Sequence, residues 1–160
     1  MQPSVDTSSF PVGRELDYES EEEVARLKEL ASEARSFVQG FHWAPPIEDL
    51  VLAFGVGPIL GLFLARFEHS IASGGCKGDI EIWVVVGDLP PAYFVVDDAP
   101  TPAEALEIYC ELMEDWADRV LADEDLSDSY PIAAEPTMEH GKMLKSRIGF
   151  IRSELIPDAE

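Results

Sequence analysis

Five carboxylates, Glu104, Glu107, Glu111, Glu114 and Asp118, recur at spacings of three, four, three and four residues. On a helix that spacing sets all five along one face, with Asp115 beside them. Like charges one turn apart repel by about a few tenths of a kcal/mol per pair. The row is tolerable as a solvated helix face, and it gains value where a basic surface covers it. A second group, Asp79, Asp88, Asp97 and Asp98, falls at expected strand ends and loops. Clustered carboxylate oxygens suit Mg²⁺ or Ca²⁺, and Asp79, Asp88 and Asp97 are the residues a metal-assisted enzyme would use. The spacing is not that of an EF-hand loop. The runs Gly87-Asp88-Leu89-Pro90-Pro91 and Asp97-Asp98-Ala99-Pro100-Thr101-Pro102 equally serve as turns.

Other reactive residue types are sparse. His42, His69 and His140 are scattered and form neither HxH nor HExxH. Cys76 and Cys110 belong to no CxxC pair, which argues against a zinc site and a disulfide framework and favours a reducing cytoplasm. Cys110 falls on an apolar helix face, whereas Cys76 sits in a glycine-rich loop beside Lys77. No Walker A, G-x-G-x-x-G or G-x-S-x-G pattern occurs, so the sequence offers no cofactor site. Trp43, Trp83 and Trp116 read as core anchors.

Thirty-two acidic against 11 basic residues give a net charge of −21, and residues 79–128 carry −14 of it. A chain this negative is repelled by nucleic acid unless it carries a basic patch, and none is evident, so direct nucleic-acid binding is not expected. Residues 50–65 are uncharged, but a spanning helix needs about twenty apolar residues. Glycines and Pro58 also punctuate the run, so it reads as buried core and not as a membrane segment.

The elements that must position these side chains follow from periodicity. Residues 1–18 read as a mobile tail with no secretory signal, and 19–160 as a single domain. Ser20 to Gln39 is predicted helical, with a Ser20–Glu23 capping box, an apolar stripe from Val24 to Phe37, and Gly40 as its stop. Ile47 to Phe54 is predicted as a short helix beginning beside Pro46. Ile59–Glu68, Asp79–Val86 and Ala92–Val96 are predicted strands, separated by the turns Ser73–Gly78 and Gly87–Pro91. Thr101, Pro102 and Glu104 form the N-cap, N1 and N3 positions of a second long helix, whose apolar face is Leu106, Tyr109, Cys110, Met113, Trp116, Ala117 and Val120. An acidic loop, Asp123 to Ser129, follows it, and Pro131 and Pro136 bracket an extended link. Thr137 caps a third helix, Met138 to Leu155, which Gly141 should weaken. The expected fold class is α+β: a small antiparallel meander of about three strands packed against three main helices.

The run Trp83-Val84-Val85-Val86-Gly87-Asp88-Leu89-Pro90-Pro91-Ala92-Tyr93, then Asp97-Asp98-Ala99-Pro100-Thr101-Pro102, resembles a bacterial family of small acidic proteins known only as a domain of unknown function. Tyr130-Pro131 and Arg147-Ile148-Gly149-Phe150-Ile151 extend the resemblance over about residues 43–157. The resemblance implies a compact bacterial cytoplasmic domain and supplies no catalytic residues. Three functions stay open. The favoured one is a non-enzymatic module binding a basic protein partner, as an immunity protein would, through Glu104, Glu107, Glu111, Glu114 and Asp118. The others are a DNA mimic and a metal-assisted enzyme.

Overall fold

The computed structural model describes residues 21–56, 60–72, 78, 80–96, 99–127 and 135–159. The predicted tail, the cap at Ser20, the breakers Gly57 and Pro58, and Ser73–Lys77 of the turn that includes Cys76 lie outside the described residues. So do Asp79, Asp97, Asp98, Asp128, Ser129 and Pro131, and the side chains of Glu23 and Val24. The contacts gather in two units, Met1–Pro100 and Thr101–Glu160.

In the first unit, α1 (Glu21–Gln39) precedes β1 (Ile47–Val56), β2 (Leu60–Phe67), β3 (Glu81–Gly87) and β4 (Ala92–Val95). The strands form one antiparallel sheet in the order β1-β2-β3-β4. The α+β class and the meander are as expected, with four strands in place of about three. The difference is β1. Ile47–Phe54 is not a helix, because its backbone pairs with β2 from Ile47↔Phe67 to Val56↔Leu60. A short continuous apolar run carries no period that separates helix from buried strand, and a partner strand decides the matter. Two register irregularities, at Ile47/Asp49 and Leu52/Phe54, interrupt the ladder.

Leu27, Leu30, Ala34 and Val38 of α1 recur at three- and four-residue spacing and are buried with Leu52, Phe63, Ala65, Ile82, Val84 and Val86 of the sheet. Gly55 and Gly61 face each other across β1 and β2. A Cβ at Gly55 would lie 2.7 Å from Leu27 Cδ2, and one at Gly61 would lie 2.7 Å from Phe63 Cε2 and 3.3 Å from Leu30 Cδ1. This glycine pair therefore leaves room for the helix to lie close on the hairpin. Leu62, Leu64, Trp83 and Val85, on the opposite face of the middle strands, are buried as well. The Trp83 indole N–H donates to the Ala99 carbonyl at 2.7 Å, fixing the chain just after β4. Gly87 leaves β3 with φ 140°, a conformation that side chains other than glycine's rarely adopt.

In the second unit, α2 (Pro102–Leu121) begins at Thr101, whose Oγ1 accepts the Glu104 N–H at 3.2 Å. Pro102 occupies the first turn, where its missing N–H costs nothing. The capped start and the apolar face from Leu106 to Val120 form as predicted. Thr101→Ala should cost about 1 kcal/mol, read as a lowered urea midpoint at unchanged slope. The third predicted helix is one α-helical run, α3 (Met138–Phe150), a π-helical turn (Ile151–Leu155) and α4 (Ile156–Ala159). The Ile156 N–H reaches the Ile151 carbonyl, five residues back. Pro157 supplies the reason: its ring has no N–H and would press on the carbonyl four residues earlier, so the turn before it widens. Leu144, Ile148, Ile151 and Leu155 are buried along this run. Gly141 does more than weaken α3. A Cβ there would lie 3.1 Å from Leu121 Cγ, so the glycine admits the start of α3 against the end of α2.

Candidate functional site

Elements that follow α2 in the chain supply cations to its carboxylate row. Arg152, on the π-helical turn, reaches back to α2 with Nε 3.2 Å from Glu107 Oε1 and Nη1 2.7 Å from Glu114 Oε2. Lys145 of α3 places Nζ 2.7 Å from Asp118 Oδ1. Three of the five expected partner-binding residues, Glu107, Glu114 and Asp118, are thus engaged by the chain's own cations and fasten the C-terminal helices to α2. The row is partly matched by the chain's own cations, while Glu107, Glu114 and Asp118 keep 45%, 36% and 56% of their side-chain surface in solvent. Glu104 and Glu111 are exposed, and neither forms an ion pair among the described residues. Spacing within α2 cannot reveal this, because the cations come from 27 to 45 residues further along. The Asp118 hydrogen bond raises the Lys145 pKa above its ordinary value.

Cys110 lies on the same helix, buried, between Glu107 and Glu114 in sequence. Burial pushes its thiol up to about 12; the Arg152 charge opposes the rise, and Glu107, Glu114 and Glu111 add to it. The thiol therefore stays protonated and closed to nucleophilic chemistry at neutral pH. Its contribution to stability is complete below the ordinary value of 9.0 and is lost as pH climbs through about 12. In a Cys76→Ser protein, Cys110 should resist a thiol-reactive dye at pH 8 until denaturant is added. Fast labelling of the folded protein would contradict the burial.

Past α2 the chain turns at Asp123, which adopts the left-handed conformation at φ 56°. Asp125 accepts from the Ser127 hydroxyl at 2.6 Å and the Ser127 N–H at 3.1 Å, which holds its carboxyl below the ordinary value. Asp123, Glu124 and Asp125 are exposed at the negative end of the helix dipole, where carboxylates are disfavoured. Arg119 offsets part of this, with Nε 3.1 Å from Asp115 Oδ2 and Nη1 donating to the Asp125 carbonyl at 3.1 Å.

Of the three metal candidates, Asp88 is exposed in the β3–β4 turn, and Asp79 and Asp97 lie outside the described residues. Among the described residues no three His, Cys, Asp or Glu side chains gather as metal ligands. No described helix is long and apolar enough to cross a membrane.

An aromatic cluster in the first unit was not anticipated. Phe37, Phe41, Trp43 and Tyr93 are each half-buried and meet in one group. Phe41 stacks on Trp43 at 5.2 Å between centroids and meets Phe37 at 5.2 Å and Tyr93 at 5.1 Å, both edge-on. Trp43 lies 5.1 Å from Tyr93. Trp83 and Trp116 are core anchors as expected, but Trp43 is not fully enclosed. The four-residue spacing of Phe37 and Phe41, followed by Trp43, was the legible signal. Tyr93 joins only because the sheet returns β4 to that place. Gln39 stiffens the corner: its amide donates to the Pro45 carbonyl at 2.9 Å and accepts the Ile47 N–H at 3.4 Å. No family model, curated protein or solved structure matches this chain.

Proposed function

We propose that the chain is a non-enzymatic interaction module whose partner is a basic protein, as an immunity protein blocks a cationic toxin. The observation that supports this reading is the acidic excess set against the cations available to neutralise it. The chain holds 32 acidic and 11 basic residues. Among the described residues, Arg66, Arg119, Lys145 and Arg152 are committed to Asp49, Glu81, Asp115, Asp118, Glu107 and Glu114. Exposed carboxylates persist at Glu104, Glu111, Asp123, Glu124 and Asp125. A field of this sign speeds encounter with a cationic surface and weakens with salt. Partner choice then rests on the field as a whole and not on a continuous row along α2. A DNA mimic needs such a row as phosphate surrogates, and Arg152 and Lys145 interrupt it.

The test uses the full chain as bait at low ionic strength, with each captured protein identified, purified and titrated. A strongly basic partner whose affinity falls with added salt is the expected result. An acidic or neutral partner held equally well in high salt would sink the reading.

A further inference from the structure

We propose that the half-buried aromatic cluster of Phe37, Phe41, Trp43 and Tyr93 is the contact surface for the partner, and that it receives an arginine or lysine side chain of that partner over its ring faces. The inference rests on the basic-partner reading and names the place where that partner docks. Three observations carry it. The rings come from three separate parts of the first unit: the end of α1, the corner after it and β4. They touch one another while each keeps part of its surface in solvent. Aromatic residues in this half-buried state are the type enriched at the energetic centres of protein interfaces.

The cluster is also pre-organised. The Phe41–Trp43 stack, the Gln39 hydrogen bonds to Pro45 and Ile47, and the Pro45-Pro46 pair fix the corner, so little side-chain entropy remains to be lost on binding.

The charge identifies the occupant. Ring faces carry the negative end of the aromatic quadrupole and attract ammonium and guanidinium groups. Two exposed acidic residues adjoin the corner through their backbone. Glu48 follows Ile47 at a ladder irregularity, and the Glu68 N–H donates to the Pro46 carbonyl at 3.0 Å. The nearby guanidinium of Arg66 is held by Glu81 at 3.0 Å and lies 4.0 Å from Asp49. Nucleobases also stack on aromatic platforms, but their phosphates are repelled by a protein of charge −21.

The experiment titrates the full chain with hexa-arginine at low salt and follows the three tryptophan indole N–H resonances and the dissociation constant. The Trp43 resonance should move while those of the buried Trp83 and Trp116 stay in place. Trp43→Leu should weaken binding about tenfold, and Trp43→Phe, which keeps a ring, should weaken it much less. Thermal melts of both variants check that each is folded, and Phe41→Leu substitutes if Trp43→Leu is not. An unmoved Trp43 signal with binding lost in Glu104→Lys/Glu111→Lys would overturn the patch and leave the basic-partner reading standing. Absence of hexa-arginine binding in the wild-type chain would overturn both. A Trp43 shift produced by a neutral oligosaccharide, and not by hexa-arginine, would overturn the choice of occupant.

Discussion

Trp83→Ala is expected to lower the free energy of unfolding by about 3–5 kcal/mol, the range for deleting a buried large aromatic side chain. The indole is 0% exposed in β3 and is flanked in the ladder by Leu64 and Phe94. Its removal leaves a cavity that the paired strands cannot close, because their backbone positions are fixed by hydrogen bonds on both sides. A polar loss adds to the apolar one. The Ala99 carbonyl accepts the indole N–H at 2.7 Å, and without that donor a buried acceptor stands unpaired. Trp83→Phe isolates part of this. It restores much of the apolar volume but not the donor, and should cost about 1–3 kcal/mol. At the low end of the usual domain stability of about 5–15 kcal/mol, the alanine variant is partly unfolded while the phenylalanine variant stays folded. Urea titrations followed by far-UV circular dichroism give both numbers. Equal costs for the two variants would mean that the hydrogen bond, and not the volume, dominates.

Arg152→Met should have the next largest effect, about 1–2 kcal/mol, between the values for exposed and buried ion pairs. The guanidinium side chain is 32% exposed and touches Glu107 and Glu114, at 45% and 36%. Its loss leaves two carboxylates one turn either side of a buried thiol, with no cation between them. Burial alone would lower the Arg152 pKa, but the Glu114 hydrogen bond and the charges of Glu114 and Glu107 outweigh it and hold it above its ordinary value. The cost should shrink in high salt, which screens the exposed carboxylates left behind. It should shrink further when Glu107→Gln and Glu114→Gln are introduced alongside, since no charge then remains uncompensated. Persistence of the full cost in that background would assign the role of Arg152 to packing of its aliphatic stem. The result also bears on binding studies, because Glu107, Glu114 or Asp118 variants that lose a partner will have loosened α3 as well. Of the five carboxylates in the row, Glu104 and Glu111 test the charge of α2 without disturbing its attachment.

The sequence was most informative where a single segment carries its own instructions. The stripe of Leu27, Leu30 and Ala34 predicted α1, the Thr101–Pro102–Glu104 start predicted α2, and the alternation of Ile82, Trp83, Val84 and Val85 predicted a strand. Each signal acts over three or four neighbouring residues, and the tertiary fold did not override it. The acidic charge was equally legible, since net charge depends on composition alone.

Tertiary structure decided the rest. Ile47–Phe54 had a proline at its start and no usable period, and became β1 only because β2 offered a ladder. In the sequence Gly55 and Gly61 punctuate an apolar run and Gly141 weakens a helix, yet each leaves space for an element distant in sequence. The five carboxylates of α2 do share a helix face, but Arg152 and Lys145 decide which of them are available. Tyr93 completes the aromatic cluster from beyond three strands. Local pattern sets backbone geometry through near neighbours. Which charges are neutralised and which rings stay in solvent depends on contacts the chain makes only when distant segments close on one another.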